Sequence, residues 1–367
     1  MSETRTPEEV PVEAAALEEH RTELTGYCYR MLGCGFEAED AVQETLAKAW
    51  VARERYDPGR APLRAWLYGI ATHVCLDMLR GARRRARAMD LARASVPGAD
   101  IGPPLPDHRW VQPVPDGLVL GGPALGGPAL GGPVFGSPVP DGPALGGPVP
   151  GRPVLGGAAH GADPADVVVA RESVRLAFVA ALQHLPPRQR AVLILRDVLR
   201  WSAAEVAPLL GCSVAAVNSA LQRARAALPV PVPASAPAEP DEGPDEELLA
   251  RYVAAFERYD VETLVSLLRE DATMSMPPFT WWLRGRADIR AVLLGSGAPC
   301  AGSRLVPAGR ANGAAAFGQY LKGEPFALVV IETRRALVSA VTTHLGDRLF
   351  PMFGLPMSFA APIRTDG

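Results

Sequence analysis

The chain carries little of what metal, disulfide and membrane proteins need. Its 367 residues include five cysteines, Cys28, Cys34, Cys75, Cys212 and Cys300, with no C-x-x-C pair among them. Each stands in an apolar or helical context, which predicts reduced, structural thiols. Six histidines are scattered and share no ligand spacing with the cysteines, so no metal site and no cofactor is expected. No apolar run nears the roughly 20 residues that span a bilayer. The acidic N-terminus lacks a basic start followed by an apolar run. A cytoplasmic chain without a membrane partner is therefore expected. Excess charge is scarce too: 37 basic against 40 acidic side chains leave −3. That excludes a uniformly basic coat for nucleic acid but leaves room for a local basic face.

The charges that are present are unevenly placed. Glu3 to Glu19 holds six acids and one arginine, Arg80 to Arg87 five arginines and no acid, and Glu239 to Glu247 six acids and no base. Residues 97–164 are rich in breakers, with prolines every five residues from Pro123 to Pro153 on an LGGPA theme. That density of proline and glycine forbids helix and discourages sheet. Glycine is not at every third position, which excludes collagen. The reading is a disordered, semi-extended linker, with an elastin-like, self-associating segment as the alternative. A second linker, 229–245, is proline-rich and then acidic, hence stiff and self-repelling. Three blocks remain: 15–96, 165–228 and 246–356.

The first two blocks are helical. In one helix Val42, Leu46 and Trp50, with Ala38 and Ala49, form an apolar stripe, and Asp40, Gln43, Glu44 and Lys48 take the opposite face. In the next, Leu63, Trp66, Leu67, Ile70, Val74 and Met78 form the stripe, with Tyr68, Thr72, His73 and Arg80 off it. The second block holds WSAAEVAPLLGCSVAAVNSALQRARAAL, Trp201 to Leu228. Ser202 and Glu205 make a capping box, Gly211 suits the left-handed turn that ends the helix, and Ser213 caps the next one. Val214, Val217 and Leu221 are expected to face inward. The outward side presents Ala215, Ala216, Asn218, Ser219, Gln222, Arg223 and Arg225. Asn and Gln can pair with adenine, Ser with either base, and Arg with guanine or phosphate, while alanines let a helix sit deep in a major groove. This predicts a DNA-reading helix-turn-helix, with an ordinary αα-hairpin as the alternative. The third block opens with helical patterns and continues in alternating runs such as FALVVIET, which points to an α+β domain.

The run RGARRRAR carries more arginine than capping a helix end requires, so phosphate contact is expected of it. Upstream, Tyr68 and His73 bring aromatic and polar groups near it, suited to unpaired bases, while Trp66 sits on the core stripe.

EAEDAVQETLAKAW followed by LRAWLYGIATHVCLDMLRGARRR resembles the second conserved region of extracytoplasmic-function sigma factors of the sigma-70 family. LPPRQRAVLILRDVLRWSAAEVAPLLGCSVAAVNSALQRARAAL resembles their fourth. SMPPFTWWLRG (Ser275 to Gly285) and LFPMFGLP (Leu349 to Pro356) are similar to the SnoaL-like tail fused to one subgroup. The resemblance implies a multidomain fold of two all-α sigma domains, a region 2 bundle and a region 4 helix-turn-helix, plus an α+β SnoaL-like cone. It implies an alternative sigma factor that binds core RNA polymerase and promoter DNA and is regulated in cis by its tail. By position, Asp40, Gln43, Glu44 and Lys48 would dock the polymerase clamp helices, with the flap as a second contact. Arg64, Tyr68, Thr72, His73 and Arg80 would meet the −10 element, with Arg83, Arg84 and Arg85 on its phosphates. Ser213, Ala215, Ala216, Asn218, Ser219, Gln222, Arg223 and Arg225 would read the −35 element.

Two other readings stay open. One is a repressor-like helix-turn-helix regulator with a ligand-binding domain, although a repressor has no need of a polymerase-docking helix. The other is a SnoaL-like cyclase or isomerase in the third block, where Asp271, His344 and Asp347 are the titratable candidates. Met274, Met276, Trp281, Trp282 and His344 are a candidate ligand pocket there. No spacing marks an acid–base pair, so no residue is assigned to catalysis. A small-molecule ligand or an anti-sigma protein would be a further partner.

Overall fold

A computed structural model describes residues 13–80, 94–106, 110–120, 171–228 and 245–358. Arg83, Arg84 and Arg85, the LGGPA repeat and most of the acidic run 239–247 lie outside the described residues. Helices α1 (Ala14–Glu18), α2 (Arg21–Leu32), α3 (Gly35–Ala52) and α4 (Leu63–Arg80) pack as one bundle. The α3 core face is Ala38, Ala41, Val42, Thr45, Leu46 and Ala49. Trp50 departs from the expected stripe: it is 43% exposed, with the Arg53 guanidinium over its ring. The buried face of α4 is also turned from its expected stripe, toward Tyr68, Ala71, Thr72 and Cys75. The reason is local chemistry. The Tyr27 and Thr72 hydroxyls share a 2.7 Å hydrogen bond, so polar groups that would otherwise seek water satisfy each other in the core.

Part of the expected 97–164 linker is structured: the Leu105 amide donates to the Pro278 carbonyl at 2.8 Å, just as the Ser95 amide before the linker donates to that of Trp282 at 2.8 Å. Trp110, Val111, Val114, Val119 and Leu120 are buried, the last residues around a short turn of helix, α5 (Asp116–Val119). Among the described residues here, the breakers leave only that one turn of helix, but they do not stop five apolar side chains from packing. Gly26 on α2 shows how closely. A Cβ there would stand 2.5 Å from the Val119 carbonyl oxygen, so only glycine lets the two backbones meet.

The second helical unit comprises α6 (Leu176–Leu182), α7 (Pro187–Leu193), α8 (Ala203–Leu209) and α9 (Val214–Ala227). Arg190 on α7 is 2% exposed. It donates to the carbonyls of Met31, Gln183 and Leu185 and to Gln183 Oε1, and so fastens α7 to the end of α2. Burial lowers its pKa to about 10, and it stays charged because four acceptors surround it.

The C-terminal unit has α10 (Glu246–Glu257), α11 (Val261–Ser266) and α12 (Arg286–Leu294) on one side of a six-stranded sheet. Its strands are β1 (Leu268–Ser275), β2 (Trp282–Arg284), β3 (Arg304–Ala311), β4 (Ala314–Leu321), β5 (Glu324–Arg334) and β6 (Leu337–Leu345), in the order β2-β1-β6-β5-β4-β3. Only β1 and β6 run parallel. Strand alternation sends Phe317, Val329, Ile331 and Val341 toward the helices. Ala316, Leu328 and Val330 point the other way, into a cluster with Leu349, Phe350 and Leu355 that Phe36 of α3 joins. The helix-free face of the sheet is therefore the face against which the helical units pack. The assembly is two all-α units and an α+β unit, the expected cone.

Candidate nucleic-acid interface

The helix-turn-helix forms as its local signals require. Ser202 Oγ accepts from the Glu205 amide at 3.2 Å, and the Glu205 carboxylate accepts from the Ser202 amide at 2.7 Å. These bonds hold the Glu205 carboxyl below its ordinary range. Gly211 takes a φ of 61°, Ser213 caps α9 through the Ala216 amide, and the two helices bend by 101°. Val217, Leu221 and Ala224 form the buried stripe of α9; Val214, expected inside, is 44% exposed. A stripe that starts at Val217 leaves the first turn of α9 free. Ser213, Ala215, Ala216, Asn218, Ser219, Gln222 and Arg223 form one exposed face. Arg225 belongs to it only in part, because Asp197, itself buried, holds its guanidinium through bonds of 2.6 and 2.8 Å. We therefore expect Arg223→Ala to weaken −35 DNA binding by about 1–3 kcal/mol if the contact is to a base edge. A filter-binding titration would show it; unchanged affinity and sequence preference remove Arg223 from the interface.

On α3, Asp40, Gln43, Glu44 and Lys48 are all exposed, with Lys48 and Glu44 paired at 2.7 Å. Trp50 and Val51, 81% exposed, extend this acidic face with apolar surface that the stripe reading placed inside or passed over. On α4 the expectation divides. His73 and Arg80 are exposed, His73 bonded to the Gly69 carbonyl and Arg80 to Asp77 at 2.6 Å. Tyr68 and Thr72 are fully buried and cannot touch DNA in this arrangement, which corrects their placement on the reading face. Arg64 is half-covered. It pairs with Glu23 at 2.7 Å, and its guanidinium lies 5.2 Å from the Tyr68 ring and 5.4 Å from that of Trp201. Trp201 is the joint: it belongs to the second helical unit, packs with its ring centre 5.1 Å from that of Tyr68 at a tilt of 52°, and is 7% exposed. The second unit thus sits on the first turns of α4.

The expected ligand pocket is also divided. Trp281, Met274 and Met276 belong to the helix-side core of the cone. Trp282 and His344 line a cavity of about 140 Å³ on the opposite sheet face, with Trp110 and residues of α6 across from them. Asp271 is exposed and paired with Arg269, which lowers its pKa. Burial drives the His344 pKa down to about 3. Its folded value then lies below the roughly 6.5 of an unfolded histidine, so the unfolded chain binds the proton first as pH falls. The stability tied to the neutral ring is complete above about pH 6.5 and is lost toward pH 3, at about 1.4 kcal/mol per unit. Urea melts between pH 7 and 5 should show this slope, flattened in His344→Leu; equal slopes would count against it.

Sequence reasoning missed Asn312. It sits with Gly313 in the β3–β4 turn, both at positive φ (52° and 81°), and Asn-Gly between apolar runs is the sequence signal for such a hairpin. Its side chain leaves the sheet. Nδ2 donates to the Tyr29 hydroxyl at 2.8 Å and the Val174 carbonyl at 2.5 Å, and Oδ1 accepts from the Val114 amide at 2.9 Å. Next to it, Asp116 accepts from the Gly313 amide at 2.8 Å and faces Arg310 at 3.5 Å. No single described helix is long and apolar enough to cross a membrane.

Residues 16–85 match the Sigma-70 region 2 family and residues 175–228 the Sigma-70 region 4 family. The chain is similar to the ECF RNA polymerase sigma factor SigG of Mycobacterium tuberculosis (strain H37Rv), 42% identical over 94% of this chain and 84% of that protein. It is similar to SigJ of the same strain, 30% identical over 77% of this chain and 69% of that one. The crystal structure of M. tuberculosis SigJ shares the fold, with a TM-score of 0.55 and 24% identity over 93% of this chain and 99% of that one. With both sigma regions in order and a relationship to SigG that runs over most of both chains, the chain belongs to the extracytoplasmic-function sigma factors, which bind core RNA polymerase and direct it to promoters.

Proposed function

We propose that this sigma factor carries its own regulator: the C-terminal cone holds the two helical units in a closed arrangement that polymerase and promoter must open. The observation that carries this reading is the Asn312 cluster, which ties the cone to α2, to the 110–120 segment and to the chain entering α6 at one point. The closed arrangement suits a resting state because it leaves the −35 face of α9 exposed while Trp201 covers the start of the −10 helix. In the open form Asp40, Gln43, Glu44 and Lys48 serve the polymerase clamp, His73, Arg80 and the released Arg64 the −10 element, and α9 the −35 element. The cytoplasm, where polymerase works, is its place of action. The cone works by docking and not by catalysis. Glu332 and His344, the titratable groups lining its cavity, pair with Ala340 and Leu328 across the β5–β6 ladder. Four rungs, about 13 Å, separate them, too far for a shared proton.

Run-off transcription with core polymerase tests this directly. The full chain should support promoter-dependent transcripts, and a chain ending at Leu228 should change core binding, promoter binding or yield. If all three stay the same across a range of salt, the cone is not a regulator.

A further inference from the structure

The cavity of about 140 Å³ lies on the helix-free face of the sheet, in the seam between the cone and the helical units. Its floor is β-sheet: Thr273, Ser275, Trp282, Thr342 and His344. Its roof comes from elsewhere in the chain, from Trp110 and from Leu176, Ala177 and Ala180 of α6. No surface assigned above to polymerase or DNA includes it, and the helix-side core of the cone is on the other side of the sheet.

Its chemistry is selective. Trp110, Trp282 and Leu176 make apolar walls, and among them stand the Ser275 and Thr342 hydroxyls, 3.2 Å apart. His344 is 6% exposed, and its Nε2 has no hydrogen-bond partner among the described residues. Burial keeps the ring neutral, so it offers a nitrogen donor or acceptor without a charge. A buried polar group of this kind is costly unless something bonds to it. Glu332, also on the lining, already has an interaction partner in the protein, and its carboxylate disfavours an anionic guest. The volume is close to the roughly 150 Å³ of a protein cavity that accepts benzene.

We propose that this seam binds a small uncharged ring compound carrying one hydroxyl, of the phenol class, with the ring between Trp110 and Trp282 and the hydroxyl bonded in the polar patch of His344, Ser275 and Thr342. The site exists only while the cone is docked, because its roof and floor belong to different units. Occupancy therefore favours the docked arrangement by linkage. This consequence rests on the closed arrangement proposed above; the binding itself does not rest on its regulatory role.

Isothermal titration calorimetry of the intact chain with phenol tests the site. Saturable binding is expected, with benzoate, the same ring bearing a charge, binding at least about tenfold more weakly. His344→Leu, which removes one hydrogen bond, should lower phenol affinity about tenfold. Ala177→Phe, at the exposed rim on α6, should block entry while leaving the cone unaltered. Circular dichroism confirms that each variant is folded. No saturable binding at millimolar phenol overturns the proposal, as does affinity that survives Ala177→Phe or equals that for benzoate. The transcript yield of the chain ending at Leu228 judges the regulatory reading separately, so the two can fail independently.

Discussion

Replacing Asn312 with glycine should release the cone from the helical units while each stays folded. The substitution keeps the backbone at φ 52° comfortable and removes only the amide, which separates the latch from the turn that presents it. Three groups then lose their partner: the Val114 amide, the Tyr29 hydroxyl and the Val174 carbonyl. Each costs about 1–3 kcal/mol when left unpaired in a buried place. Neighbouring losses are not additive, and the Tyr29 hydroxyl still donates to the Gln112 carbonyl at 2.8 Å, so we expect about 3–5 kcal/mol off docking. Such a loss shifts the closed-to-open ratio toward open by about 10²–10⁴-fold. Small-angle scattering should report a larger radius of gyration, and limited proteolysis should reach residues 94–120. Asn312→Ala should add a further penalty for a side chain in the left-handed region. If the glycine variant scatters like the parent chain, the amide is not the latch.

Trp201→Ala should open the second joint, between the helical units. The ring fills the space against Tyr68, under the Arg64 guanidinium, in a cluster that continues to Tyr27 at 5.1 Å from Tyr68. Truncating a buried tryptophan costs about 3–5 kcal/mol through lost transfer energy and the cavity left behind. Here that cost falls on the interface, because Tyr68 and Trp201 belong to different units. Hydrogen exchange should rise along the first turns of α4. Binding of a −10 promoter fragment should strengthen as Arg64 gains access to solvent. Trp201→Phe should retain most of the joint. Exchange on α4 equal to that of the parent would mean that Trp201 does not hold the units together.

The helix-turn-helix was the most legible part of the chain, because its signals are local. Ser202, Glu205, Gly211 and Ser213 each act on a backbone group within a few residues. Where a residue's environment depends on distant chain, the pattern misled. Tyr68 and Thr72 carry hydroxyls and fall off the apolar stripe, yet Tyr27, forty-odd positions away, draws them into the core. Trp50 and Val214 have the apolar character of core residues but lie one step beyond the turn that is covered. In 97–120 the prolines and glycines read as linker, and the composition alone gives no sign that Trp110, Val114 and Val119 find a cleft between two units. Among the candidate pocket residues, strand alternation decides. Trp281 and Trp282 are adjacent, so they necessarily face opposite sides of the sheet, and only one can line any given cavity.

The latch also has a place in time. Asn312 lies 84 residues beyond Leu228, the end of the helix-turn-helix (312 − 228). At 5–20 residues per second, a ribosome takes about 4–17 s to make that stretch. During that interval both helical units have emerged and nothing yet ties them to a cone. On the proposed reading, a nascent chain is therefore unlatched until that hairpin has been made.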